Sequence, residues 1–248
     1  MNAAPANPYE SDSLLRDYLL FHYGDAGETF GSLPGPREAL GFASRCVTTL
    51  ISEVPAGASA LDVGCAVGGS AFELAKVCSK VLAIDYSRGF IHAAETLARA
   101  GVLESRMLVE AGKFAPFTAR VPEEIDRSRV SFAVGDAMAL EPDLGPFDIV
   151  LAANLICRLP EPLRFIERLP GLVKPGGQLL LTTPFTWMED YTPVQNWLGR
   201  EIPCIDDLTR LLAPAFSLEI SRDIPFIIRE HARKFQYGIA LGTRWRRA

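Results

Sequence analysis

The residues best placed to do chemistry lie in the turn Leu61-Asp62-Val63-Gly64-Cys65-Ala66-Val67-Gly68-Gly69-Ser70, where a short apolar run stops and a helical segment opens. Glycine at such a strand-to-helix turn lets the backbone approach a ligand with no side chain in between. Asp85 closes the next apolar run, VLAID, 21 residues after Gly64. A carboxylate at that place can accept hydrogen bonds from both hydroxyls of a ribose. Asp62, Gly64, Cys65, Ala66, Gly68, Asp85 and the adjoining Tyr86 therefore form a candidate set for an adenosine-containing ligand. On these residues alone the ligand is a dinucleotide or S-adenosylmethionine. The bland alternatives are a tight turn made by the glycines and an Asp85 that only faces the dipole of the following helix. Cys65 is expected to be a small packing residue, not a nucleophile.

The elements around this turn follow from hydrophobic spacing. Five short apolar runs read as parallel strands: 59–63, 80–85, 129–135, 147–154 and 177–184. Helices are expected over 11–21, 37–52 with Pro36 in the first turn, 68–78, 87–100, 160–170 and 206–212. Two further strands, 216–228 and 234–245, should end the chain, joined at Arg229 to Arg233. The stretch 101–128 is not required by the strand-helix repeat and is expected to be an inserted ribbon or loop. Residues 1–10, rich in Ala, Asn and Pro, are expected to be mobile. The organisation expected is an N-terminal helical lid or extension (1–55) and one compact unit (56–248).

Composition narrows the partners. With 248 residues, 48% hydrophobic and 22% charged, the chain suits one large α/β domain with additions. A formal charge of -5 gives no general attraction to nucleic acid or anionic membrane, so a small molecule is the expected partner. No apolar run approaches the roughly 18 to 20 residues of a membrane-spanning helix, and the first residues do not read as a secretory signal. A cytoplasmic protein is expected. The five cysteines, Cys46, Cys65, Cys78, Cys157 and Cys204, are scattered and have no zinc-ligand spacing. Reduced thiols and no bound metal are expected.

The later segments VGDAMAL (134–140), FDIVLAANLI (147–156) and LVKPGGQLLLTTP (172–184) resemble the class I S-adenosylmethionine-dependent methyltransferases. That resemblance implies a doubly wound, Rossmann-like α/β fold with a mostly parallel seven-stranded sheet. It implies that Asp136 bonds the adenine amino group, that the Ala137 backbone contacts the ring, and that Asn154 sits beside the methionine part of the donor. The KPGG turn needs glycine for a positive φ. One departure is plain: the chain has Gly64-Cys65-Ala66 where the family commonly has Gly-x-Gly, a change small enough to keep the site.

Three segments, DYLLFHYG (17–24), DVGCAVGGSAFELA with VLAIDYSRGFI (62–91), and TPFTWMEDYTPVQNWLG (183–199), resemble a narrower family, the 5-thiohistidine N-methyltransferases of ovothiol biosynthesis. The resemblance implies methyl transfer from S-adenosylmethionine, leaving S-adenosylhomocysteine, to the imidazole nitrogen nearest the side-chain attachment, giving ovothiol A. Acceptor residues are then expected at the carboxyl ends of the strands: Thr183, Phe185, Trp187, Glu189, Tyr191 and Arg229, with Tyr18 and His22 closing over them. Asn154, Glu230, His231 and Tyr23 are the candidates for catalysis, a general base being needed to take the ring proton. A lone histidine in a charged loop, as His231 is, is more often a solvated surface residue, and Trp187 and Tyr191 read equally as core. Three other functions fit less of the sequence: methylation of another small acceptor, adenosine-ligand binding without catalysis, and nicotinamide-dependent oxidoreduction.

Overall fold

A computed structural model describes residues 7–248. Its helices are α1 (Asp12–Tyr23), α2 (Ala26–Phe30), α3 (Phe42–Thr48), α4 (Gly69–Leu74), α5 (Arg88–Ala100), α6 (Pro162–Leu172) and α7 (Cys204–Leu212). Its strands are β1 (Ser59–Val63), β2 (Lys80–Asp85), β3 (Val102–Glu110), β4 (Lys113–Arg120), β5 (Val130–Val134), β6 (Phe147–Ala153), β7 (Val173–Thr183), β8 (Phe216–His231) and β9 (Lys234–Arg247). The main sheet runs β5-β2-β1-β6-β7-β9-β8. Every pairing from β5 to β7 is parallel, whereas β9 pairs antiparallel with both β7 and β8. This is the expected seven-stranded, mostly parallel Rossmann-like α/β sheet with helices ahead of it.

Two-residue periodicity explains the layers. In β6, Ile149 and Leu151 join the core on one face of the sheet, while Val150 and Ala152 join the core on the other. In β7, Leu180 goes to the first face and Leu179 and Leu181 to the second. Both faces are covered, so the strands read as continuous apolar runs. α5 shows how a crossover helix is set. The Ser87 hydroxyl caps its start by accepting from Phe90 N at 3.1 Å, Gly101 ends it, and Phe90, Ile91, Ala94 and Leu97 are buried.

Several boundaries differ from the sequence reading. The helix expected over 37–52 is broken: a single 3-10 turn covers Arg37–Ala39, Leu40 is extended, and α3 starts only at Phe42. KPGG is not a turn ahead of the last parallel strand but a bulge inside it, since Phe147 pairs with Val173 and Ile149 with Gln178. Gly176 there has φ 73. Of the stretch expected to be mobile, residues 1–6 lie outside the described residues, while Pro8–Glu10 form a 3-10 turn tied to the start of α5. Arg229 lies within β8, not in a loop.

The inserted ribbon is the hairpin β3-β4. It packs on α1 and α5 through Phe117, Ala119 and Met107. It also braces the C-terminal hairpin, because Ala232 N donates to Val109 O at 3.1 Å. β7 pairs with β9 only from Gln178 to Thr183, against Arg246 to Leu241. The first half of β9 and the β8 residues paired with it therefore project past the carboxyl ends of the parallel strands, where α/β sheets bind ligands.

Candidate active site

A cavity of about 1150 Å³ opens at these carboxyl ends, of the size that holds a cofactor and a second ligand. Its floor comes from the ends of four parallel strands: Val63, Gly64, Ala66 and Ser70 after β1, Asp85 and Tyr86 after β2, Gly135 to Met138 after β5, and Ala153 to Leu155 after β6. One wall is α1, through Tyr18, Phe21 and His22, and another is the projecting hairpin, through Phe226, Ile228 and Tyr237.

The floor is held by its own polar groups. Asp85 accepts from Ala66 N at 2.9 Å and from Ser87 N at 2.8 Å. Burial pushes the Asp85 carboxyl above its usual range, against the pull of these two N–H groups. Ala66, at the position where a second glycine is common, has a left-handed φ of 48. Alanine there is strained, and the Asp85 hydrogen bond holds it. Asp136 accepts from Met138 N at 2.8 Å. Asn154 also has a left-handed φ, 51, and accepts from the Thr182 hydroxyl at 3.0 Å. Asp62 lies behind this floor, fully buried. It accepts from the Ser70 hydroxyl at 2.6 Å, and its second oxygen has no hydrogen-bond partner among the described residues. Burial is the main reason its carboxyl is pushed up to about 7, with the nearby Asp85 adding and the Ser70 hydroxyl opposing.

Of the candidates read from the sequence, Gly64, Ala66, Asp85, Tyr86, Asp136, Ala137, Asn154, Tyr18, His22 and Tyr191 line this one cavity. Others are near it but serve the framework. Cys65 is buried, as expected of a packing residue. Gly68 starts α4 and faces the Phe132 ring. Tyr23 does not line the cavity, because its hydroxyl donates to Val67 O at 2.7 Å and so fastens α1 to the loop. Thr183 is buried and accepts from Phe185 N, Phe185 and Trp187 pack on the sheet's second face, and Glu189 is exposed outside the lining.

The candidate set at the tip of the C-terminal hairpin is the clear miss. Arg229 is buried against α2 and the inserted hairpin, donating to Glu28 O and to Leu108 O at 3.1 Å. Glu230 bonds Gln236 and pairs with Lys234. His231 accepts from Arg233 N. None of the three lines the cavity. The strands are longer than their apolar runs suggest, so the turn lies beyond the site.

Sequence reasoning missed four contributors. Arg158 follows β6 in a 3-10 turn and is the one Lys or Arg of the cavity lining among the described residues. It donates to Thr186 O at 2.7 Å and stands 5.2 Å above the centre of the Tyr191 ring. Tyr9 packs against Tyr18, Phe90 and Tyr191 at centroid distances of 5.9 to 6.0 Å. Burial raises the Tyr9 and Tyr18 phenols, the latter to about 12, so both stay protonated. Glu161 and Asp190 add carboxylates at the exposed rim. Arg158 had a readable signal, standing four residues after Asn154 at a strand's carboxyl end. Tyr9 had none in the strand-helix pattern.

Residues 61–181 match a family described as "Methyltransferase domain". Over 148 residues the chain is 32% identical to a 2-methyl-6-phytyl-1,4-hydroquinone methyltransferase of Synechocystis sp., covering 59% of this chain and 38% of that protein. It is 32% identical over 127 residues to a ubiquinone biosynthesis O-methyltransferase of Xanthomonas campestris pv. campestris, covering 51% and 43%. The matched stretch is thus less than half of either curated relative. Among solved structures the fold is similar, with a TM-score of 0.54 and 18% identity, to a protein from a study of the conversion of a disulfide bond into a thioacetal group during echinomycin biosynthesis. That likeness covers 83% of this chain and 80% of the other. Residues 61–181 are thus similar to a methyltransferase domain, and the solved structure shares the Rossmann-like fold.

Proposed function

We propose that this chain transfers a methyl group from S-adenosylmethionine to a small zwitterionic acceptor, 5-thiohistidine, at the ring nitrogen nearest the side-chain attachment. The observation that carries the donor half is the convergence of Asp85, Asp136 and Asn154, from three different strand ends, on one cavity. S-adenosylmethionine supplies an electrophilic methyl on a sulfonium. In this reading Asp85 accepts from the ribose hydroxyls, Asp136 and the Ala137 backbone hold the adenine, and Asn154 stands beside the methionine part. The chain contributes alignment, an effect worth roughly 7 to 11 kcal/mol. The walls from α1 and the C-terminal hairpin keep water from the reacting groups.

The acceptor half rests on the chemistry of the opposite wall. The Arg158 guanidinium suits a carboxylate, the rim carboxylates Asp190 and Glu161 suit an ammonium, and the Tyr9-Tyr18-Tyr191 cluster suits a planar ring. Pro184, Thr186, Asp190 and Tyr191, which belong to the segment that carries the ovothiol resemblance, line the cavity. With Glu230 and His231 outside, a rim carboxylate, Asp190 or Glu161, is the group available to take the ring proton. The names of the curated relatives suggest a quinol acceptor instead, but a phenolic ring brings no anion for Arg158. Isothermal titration with S-adenosylmethionine tests the donor half. Saturable binding is expected, and no heat from folded protein would end this reading.

A further inference from the structure

His22 lines the cavity from the last turn of α1 and touches the loop after β1 in one defined way. Its Nδ1 accepts the backbone N–H of Gly69 at 3.1 Å. A neutral imidazole has one donor and one acceptor nitrogen, so a ring that accepts at Nδ1 carries its proton on Nε2. Burial holds the ring neutral, its pKa pushed down to about 3. The Phe21, Tyr18 and Tyr23 rings around it, at centroid distances of 5.4 to 6.1 Å, fix its orientation. His22 is thus a hydrogen-bond donor toward the cavity. It has no lone pair left with which to act as a base.

The position of this donor along the sheet suggests what it meets. The order β5-β2-β1 places Asp136, Asp85 and the β1 loop in a row. A ligand with its adenine at Asp136 and its ribose at Asp85 therefore brings its third part to the β1 loop, where His22 and Ser70 line the cavity. The next residue after Gly69, Ser70, donates to Asp62, whose other oxygen is buried with no partner. A neutral donor at the cavity surface suits the anionic end of an α-amino acid group, and Asp62 behind it holds the adjoining Ser70 in place.

We propose that His22 is a positioning residue of the donor site, its Nε2–H holding the carboxylate of the methionine part of S-adenosylmethionine. This rests on the donor reading above and moves His22 from the acceptor side, where the sequence suggested it, to the donor side.

Calorimetry on the full chain separates the possibilities with two ligands. S-adenosylhomocysteine carries the amino acid group, and 5′-methylthioadenosine lacks it. His22→Asn keeps an acceptor for Gly69 N–H but has no donor at the Nε2 position, while His22→Gln returns an N–H to that place. His22→Asn should bind S-adenosylhomocysteine about tenfold more weakly, as expected for a lost hydrogen bond to a charged group. It should bind 5′-methylthioadenosine unchanged, and His22→Gln should recover most of the loss. In the unmutated protein, the His22 Nε2–H resonance should move on adding S-adenosylhomocysteine and not 5′-methylthioadenosine, a readout independent of any variant's folding. A parallel loss for both ligands, or an unmoved resonance, would show that His22 only packs α1 and would overturn the proposal. Wild-type protein that bound neither ligand would overturn the donor reading, and the proposal with it.

Discussion

Asp85, at the end of β2, accepts the backbone N–H of Ala66 at 2.9 Å, holding a left-handed alanine in the loop after β1. One carboxylate thereby shapes the loop and faces the cavity. Asp85→Ala is expected to leave a folded protein that binds S-adenosylmethionine at least about tenfold more weakly, through loss of charge-assisted hydrogen bonds. Calorimetry reads this directly, and unchanged affinity would take Asp85 out of the site.

Arg158→Lys keeps the charge but loses the planar fork that suits a carboxylate. The acceptor KM is expected to rise about tenfold while the affinity for S-adenosylmethionine stays the same. Steady-state kinetics alongside a donor titration distinguish this from a general disturbance, in which both would weaken.

The buried Asp62 gives ligand-free protein a signature in pH. Its folded-state pKa, about 7, lies above the ordinary 3.8 of an unfolded chain. Between those values the native state binds the extra proton, so this residue's contribution is fully present below about pH 4 and is lost as pH rises through 7. Asp62→Asn removes the titration and keeps an acceptor for the Ser70 hydroxyl. The variant's melting temperature should exceed that of the wild type at pH 8, by several degrees at about 2–4 °C per kcal/mol, and the gap should close near pH 4. A constant gap across this range would contradict the assignment.

Glu10 fastens the Pro8–Glu10 turn over the Asp85 end of the cavity by accepting from Arg88 N at 2.8 Å and Gly89 N at 3.3 Å. Tyr9 O accepts from the Ser87 hydroxyl beside it. α1 itself is no removable flap, because Leu19 and Leu20 are buried in the core. Glu10→Ala should therefore speed release of S-adenosylmethionine several-fold in stopped flow and change thermal stability little, since Glu10 itself is exposed. An unchanged release rate would show that the turn does not cover the donor.

The parallel half of the fold was legible because its strands are short, mostly apolar runs, four of the five ended by Gly, Asp or Asn and β7 by Thr183-Pro184; β1 and β2 have the bounds that the runs suggest. The floor residues were legible for the same reason, being those strand ends. What failed was non-local. The 16-residue β8 carries the Arg229 turn past the cavity to the inserted hairpin, and nothing in its own sequence states where that turn lands. Of the aromatic and acidic segment after β7, Pro184, Thr186, Asp190 and Tyr191 line the cavity while Phe185 and Trp187 pack on the sheet. Tyr9 was hidden because its role depends on α5 and on Tyr191, each far away in sequence.

Methyl transfer to a thiol-bearing imidazole can be read from its products. The most direct measurement incubates purified protein with S-adenosylmethionine and 5-thiohistidine, with histidine and a simple quinol as parallel acceptors, and reads the products by mass spectrometry and nuclear magnetic resonance. The expected result is one methyl on the side-chain-proximal ring nitrogen of thiohistidine, with S-adenosylhomocysteine in equal amount and histidine a much poorer acceptor. Methylation of sulfur, equal use of histidine, or turnover of the quinol with none of thiohistidine would contradict the acceptor assignment, and no S-adenosylhomocysteine with any acceptor would contradict methyl transfer itself.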